Sequence, residues 1–179
     1  MGKATQDLIN EHEAILHVLK IVDQLMSSDK AGDDEILKFG NELVYFLQIF
    51  ADKCHHGKEE DFLFAEIIKE GISEEDDLIG ILLQEHQKGR EYISRMRASL
   101  ESKDVNQFES SAILYRDLLR GHIEKENDVL FKLADELLGE SQQEALFDKF
   151  ENHEETVIGH GVHEELHAMI HKWEEEIAG

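Results

Sequence analysis

Two stretches of the chain repeat a pattern of residue types able to ligate metal ions. Residues 54–64 read CHHGKEEDFLF and residues 121–131 read GHIEKENDVLF. In each, a histidine is followed four residues later by a glutamate, and Leu-Phe comes after the same gap. On a helix that spacing sets both side chains on one face, one turn apart. His55 therefore points with Glu59, and His122 with Glu126. Their neighbours along the same stripes are apolar: Leu47, Ala51 and Phe62 for the first pair, Tyr115, Leu119 and Val129 for the second. A carboxylate on a core-facing stripe is costly unless it is paired, protonated or bound to a metal. No lysine or arginine lies on these stripes to neutralise it.

His12 and His86 fall on the apolar stripes of two further helices. Four imidazoles and two carboxylates can hold two divalent ions, with each carboxylate bridging. Two bridging glutamates cancel half the charge of such a pair, and the remainder favours an anionic ligand. A mixture of imidazole and carboxylate suits iron, with manganese or zinc as alternatives.

The elements that position these residues follow from hydrophobic periodicity. A first helix is predicted from about Thr5 to Met26, with Leu8, His12, Ile15, Leu19 and Val22 on one stripe. A second runs from about Asp34 to Lys69 and stops before Gly71. Ser73 and Asp76 read as a capping box opening a third, which aligns Ile79, Leu82, His86, Ile93 and Met96. The fourth ends near Leu138 and carries Phe108, Ala112, Tyr115, Leu119, His122, Glu126, Val129 and Leu133. Short connections between four long amphipathic helices predict an all-α, antiparallel up-down four-helix bundle over residues 1–138. LINEH at 8–12 echoes LLQEH at 82–86, so the bundle reads as two similar hairpins. Residues 139–179 are expected to form additional C-terminal helices packing on it as a lid. Ser141 and Glu144 read as the capping box of the first, and Gly159 and Gly161 break the chain before the second.

Composition narrows the function. The chain of 179 residues has 41 Asp plus Glu against 18 Lys plus Arg, a formal −23. A field of that sign repels phosphate backbones and anionic membranes, so neither nucleic acid nor a membrane is expected as a partner. Proline is absent, which suits uninterrupted helices. One cysteine excludes an intramolecular disulfide framework. With no signal-like or membrane-length apolar segment, a cytoplasmic location is expected.

With these residues in view, the chain resembles the hemerythrin family, specifically its HHE cation-binding branch, over roughly residues 5–137. The resemblance rests on EH at 11–12, HHGKEEDFLF at 55–64, EH at 85–86 and HIEKENDVLF at 122–131. It implies a non-haem di-iron site with His12, His55, Glu59, His86, His122 and Glu126 as ligands, Glu59 and Glu126 bridging. Counting back from Leu-Phe aligns His55 with His122 and Glu59 with Glu126, leaving His56 and Glu60 as flankers in that register. The chain departs from the family pattern where relatives carry proline after Leu-Phe; here Ala65 and Lys132 stand. It also lacks the HxxxH and HxxxxD of the oxygen carriers, having Arg90 four residues after His86 and Asn at 127. Fewer imidazoles would favour reactive chemistry over reversible carriage. The resemblance therefore implies binding or reduction of O2, NO or H2O2, in oxidative or nitrosative stress or iron-centre repair. The alternative is a metal-dependent sensor or iron-handling module without catalysis, for which a protein partner or homo-oligomer would serve.

HEELH at 163–167 matches the HExxH of zinc proteases in form only, since the chain given has no scaffold for a substrate cleft. His163 or His167 could instead add a ligand to the centre, or line its access, in place of the histidine absent at position 90. Tyr115 could donate a hydrogen bond near the metals. Cys54 points away from the ligand face and reads as a structural thiol.

Overall fold

The computed structural model describes residues 1–29, 31–73 and 77–178. Helix α1 spans Lys3–Met26, α2 residues 33–69, α3 Asp77–Glu101 and α4 residues 105–137. Two more follow, α5 over residues 140–159 and α6 over Val162–Ala178. No strand occurs among the described residues. Helix α1 packs on α2 and α4, and α3 on α2 and α4, closing the four-helix ring.

The ends follow local chemistry. Gly71 takes φ 102 beyond the end of α2, a conformation that suits glycine. Asp104 caps α4, its Oδ1 accepting from the Gln107 amide at 3.0 Å. Helix α5 begins at Glu140, so its reciprocal cap is Gly139 with Gln142, the Gly139 amide donating to Gln142 Oε1 at 2.9 Å, rather than Ser141 with Glu144. The predicted capping box at Ser73 and Asp76 lies partly outside the described residues.

The long helices are not uniformly α. Turns at Leu47–His56 and Glu59–Leu63 in α2, at Glu126–Leu130 in α4 and at Glu154–Gly159 in α5 are π-helical. Each π turn advances the chain less around the axis than an α turn, so the buried stripe moves along by one residue. Beyond the glutamates the core therefore takes Leu63 and Leu130; Phe62 is only half-buried, and Val129 is 49% exposed. The sequence stripes that include Phe62 and Val129 assume a uniform 3.6 repeat, which these wide turns interrupt.

The apolar core is divided. One part gathers Ile15, Leu19, Leu47, Phe50, Met96, Phe108, Leu119 and their neighbours. The other gathers Leu8, Leu63, Ile67, Leu82, Leu130, Phe131 and Phe150. Between them the same helices bury the histidines and glutamates singled out above.

Helices α5 and α6 follow one another along α1 and α2. Gln143 Oε1 accepts from the Ala4 amide at 3.1 Å at one limit of this run, and Trp173 Nε1 donates to Glu42 at 2.7 Å near the other. The break between them falls at Gly159 and Gly161, whose φ values of 118 and 76 strain any side chain.

Candidate metal centre

Seven side chains converge in the polar layer, all at most 3% exposed: His12, His55, His56, His86, His122, Glu59 and Glu126. They fall into two groups whose ligand atoms lie within 4.8 Å of one another. His56, Glu59, His86 and His122 form one; His12, His55, Glu59 and Glu126 form the other. Glu59 belongs to both.

The structure thus brings together all six residues expected as ligands and adds His56, expected as a flanker. His55 and His56 both face inward because they end the longest π segment, Leu47–His56. Glu60 turns outward instead and is bound by Arg90. The doubled histidine was the visible signal. With His56 the cluster gathers five imidazoles, where the sequence pattern counted four.

All five rings are oriented the same way. His12 Nδ1–H donates to Asn127 Oδ1 at 2.7 Å and His55 Nδ1–H to Glu11 Oε2 at 2.8 Å. His86 Nδ1–H donates to Glu60 at 2.7 Å, His122 Nδ1–H to Glu85 at 2.8 Å, and His56 Nδ1 meets Asp52 at 3.4 Å. An acceptor on Nδ1 fixes the tautomer and leaves the Nε2 lone pair facing the centre. The carboxylates are themselves held by cations: Glu11 by Lys58, Glu85 by Lys125, and both Glu60 and Asp52 by Arg90. Arg90 and Asn127, noted in the sequence only as departures, therefore orient His86, His56 and His12.

The inner atoms lack partners. Both oxygens of Glu59 and of Glu126, and Nε2 of His12, His55 and His56, are buried without a hydrogen bond to any described residue. Their nearest neighbours are one another: His12 Nε2 lies 3.1 Å from Glu126, His122 Nε2 3.1 Å from Glu126, and His86 Nε2 3.3 Å from Glu59. Among the described residues no lysine or arginine reaches either glutamate. His86 Nε2 and His122 Nε2 stand 3.1 Å apart, and with both Nδ1 atoms protonated their lone pairs face each other. Only a proton or a cation makes that contact favourable. These orphaned lone pairs fit metal ions ligated by imidazole and carboxylate.

With protons alone to balance the carboxylates, the rings become strong bases. Burial pulls His55 down, but Glu59 and Glu11 outweigh it and hold the ring at about 10. Burial is likewise overcome at His86, which Glu126, Glu59 and Glu60 raise to about 11. His56 goes the other way, pushed well down by burial and by the neighbouring His86 charge. Glu126 is held far below the usual carboxylate range, burial being outweighed by His122 and His12.

The remaining candidates stand apart. His163 and His167 join neither group; they pack on Phe50 with ring centroids at 5.5 and 5.4 Å. Tyr115 is buried, its hydroxyl has no partner among the described residues, and burial keeps it protonated, so it remains a donor. Cys54 is buried with its thiol pushed up by burial and then by Glu11, consistent with a structural role. Lys58, unremarkable in the sequence, is fully buried.

An antiparallel helical bundle that buries an imidazole–carboxylate cluster with no partner of its own defines a cation-binding protein. The chain matches the family model of the hemerythrin HHE cation binding domain over residues 3–134, and it belongs to that family. No curated protein and no solved structure matches the chain significantly.

The inward turn of His56 has a measurable consequence. His56→Ala is expected to reduce bound metal as strongly as His55→Ala, whereas Glu60→Ala, which leaves all seven inner side chains, weakens binding by about 10- to 100-fold at most. Metal titrations of the three variants check this. Full metal content and affinity in His56→Ala would put that ring outside the centre.

Proposed function

We propose that the chain is a non-haem di-iron protein that binds or reduces a small ligand of the O2, NO or peroxide class. The observation that carries this reading is the set of four orphaned carboxylate oxygens on Glu59 and Glu126, surrounded by imidazole Nε2 atoms. His56, His86 and His122 would hold one ion, His12, His55 and Glu126 the other, with Glu59 shared. Iron there would supply one-electron redox steps and Lewis acidity toward a small ligand; manganese or zinc would suit the same residues.

The chain's own residues fix the site. The outer carboxylates and Asn127 orient the rings, the two apolar cores on either side limit water, and Tyr115 keeps a proton available for hydrogen bonding. Residues 1–138 would form the metal-binding bundle and 139–179 an extension, in a cytoplasmic protein acting in oxidative or nitrosative stress or in iron-centre repair.

A second reading, a metal-dependent sensor or iron-handling module, is favoured by one feature: α5 and α6 pack beside the helix pair that carries His12 and His55. The discriminating experiment loads the chain with iron anaerobically and mixes it with O2, NO or H2O2. Charge-transfer bands in the near ultraviolet that change with the ligand and vanish in His55→Ala are expected. Bound iron whose spectrum ignores all three ligands would leave the sensor reading. A chain that takes up no metal would remove both.

A further inference from the structure

Glu11 lies just outside the seven inner residues and is 4% exposed. It accepts from His55 Nδ1–H at 2.8 Å, from Lys58 Nζ at 2.7 Å, and more distantly from the Cys54 thiol at 3.9 Å. Lys58 is wholly buried and donates to three carboxylates: Asp7 at 2.9 Å, Glu11 at 2.7 Å and Glu154 at 2.5 Å. Glu154 opens the π turn of α5, outside the span matched by the family model. From α6, His163 brings its ring nitrogens within 3.9 Å of both Glu11 and Glu154.

This hub differs from the other outer contacts of the centre. Lys125 and Arg90, which hold Glu85 and Glu60, are 38% and 34% exposed and are partly balanced by water. Lys58 has no such recourse, and a buried ammonium needs buried counter-charge. Glu11, Glu154 and His163 also lie close enough together to suggest a further cation site. The Lys58 ammonium already fills that role, between the two carboxylates.

We propose that the C-terminal extension is a working part of the metal centre: Glu154, acting through Lys58 and Glu11, sets how strongly His55 is held as a ligand. This rests on the metal-binding reading above. Glu11, Lys58 and Glu154 are positioning residues. Neutralising Glu154 leaves Lys58 to draw harder on Asp7 and Glu11. Glu11 then gives up part of its hydrogen bond to His55, and the imidazole becomes a looser and weaker donor.

Cobalt(II) is the probe, because it is redox-quiet and shifts the proton resonances of bound imidazoles. The intact chain is loaded alongside E154Q, E11Q and W173F, the last loosening α6 at Glu42 without touching the hub. Release of cobalt to a chelator and the exchangeable, hyperfine-shifted Nδ1–H resonances are read. We expect E154Q to release cobalt about 3- to 10-fold faster, below the 10- to 100-fold of E11Q, whose carboxylate contacts the ligand directly. The one resonance lost in E11Q should move in E154Q and stay in place in W173F. Should E154Q not fold, E154D carries the test, its shorter side chain shifting the same resonance in the same direction. An unmoved resonance and an unchanged release rate in a cobalt-loaded Glu154 variant would overturn the proposal. Failure of the intact chain to hold cobalt would overturn the metal reading beneath it.

Discussion

Glu59→Ala is expected to strip both metal positions at once, where His12→Ala empties chiefly one. Among the described residues Glu59 alone is common to the two ligand groups. Its oxygens lie 3.4 Å from His55 Nε2 on one side and 3.3 Å from His86 Nε2 on the other. Removing it takes away a shared anion and leaves two sets of imidazoles facing each other with half the compensating charge. Each position would lose a ligand and the pair half its compensating charge, which in a site shielded from water weakens cation binding at both. Elemental analysis of the purified variant, with circular dichroism to establish that the helices persist, measures the effect. Metal content equal to the unmutated chain in a folded Glu59→Ala would dismiss the shared-ligand arrangement.

The second large effect concerns pH. When protons balance the cluster, His55 and His86 bind theirs with pKa values of about 10 and about 11, against an ordinary 6.5. A group raised on folding contributes its full stabilisation below the ordinary value and loses it as pH climbs through the folded value. The metal-stripped chain should therefore be most stable near or below pH 6.5 and weaken steadily toward pH 10. Glu126, depressed on folding, contributes above the ordinary carboxylate value and loses that contribution only in acid.

Metal reverses the alkaline trend, because its ligands must be deprotonated and protons compete less as pH rises. The gap in melting temperature between loaded and stripped protein should widen from pH 6 to pH 9. At free metal a hundred to a thousand times the dissociation constant it corresponds to about 3–4 kcal/mol. Calorimetry of both forms across that range gives the answer, and a gap independent of pH would show that metal and protons do not share these sites.

Most of the scaffold could be read from the sequence because it is periodic. The stripes through Leu8, Ile15 and Leu19, or Ile79, Leu82 and Met96, repeat at 3.6 residues, and all six are buried. The pairs His55–Glu59 and His122–Glu126 were legible for the same reason. What escaped depends on departures from that period. His56 turns inward only because ten residues of α2 widen into π turns, and the same effect moves burial from Val129 to Leu130. The roles of Lys58 and Glu154 were hidden for a different reason. They meet across 96 positions of sequence, and each taken alone resembles any solvated charge on an acidic helical protein.

The divided core gives the molecule a mechanical character. Two dry compartments are arranged in series along four shared helices, and the joint between them is welded by charge balance rather than by apolar contact. Such a joint makes cooperativity conditional: with its charges satisfied, the chain should open as one unit, and with them unsatisfied, as two. The compartment built on Leu8, Ile67, Ile79, Leu138 and Phe150 is the smaller, and it holds the start of α1 and the close of α4. Its amides would then exchange with solvent by a partial opening that leaves the Phe50–Trp173 end intact. An ion buried in the middle of the bundle could in that way be felt at the far tip of the molecule, by a partner that never comes near it.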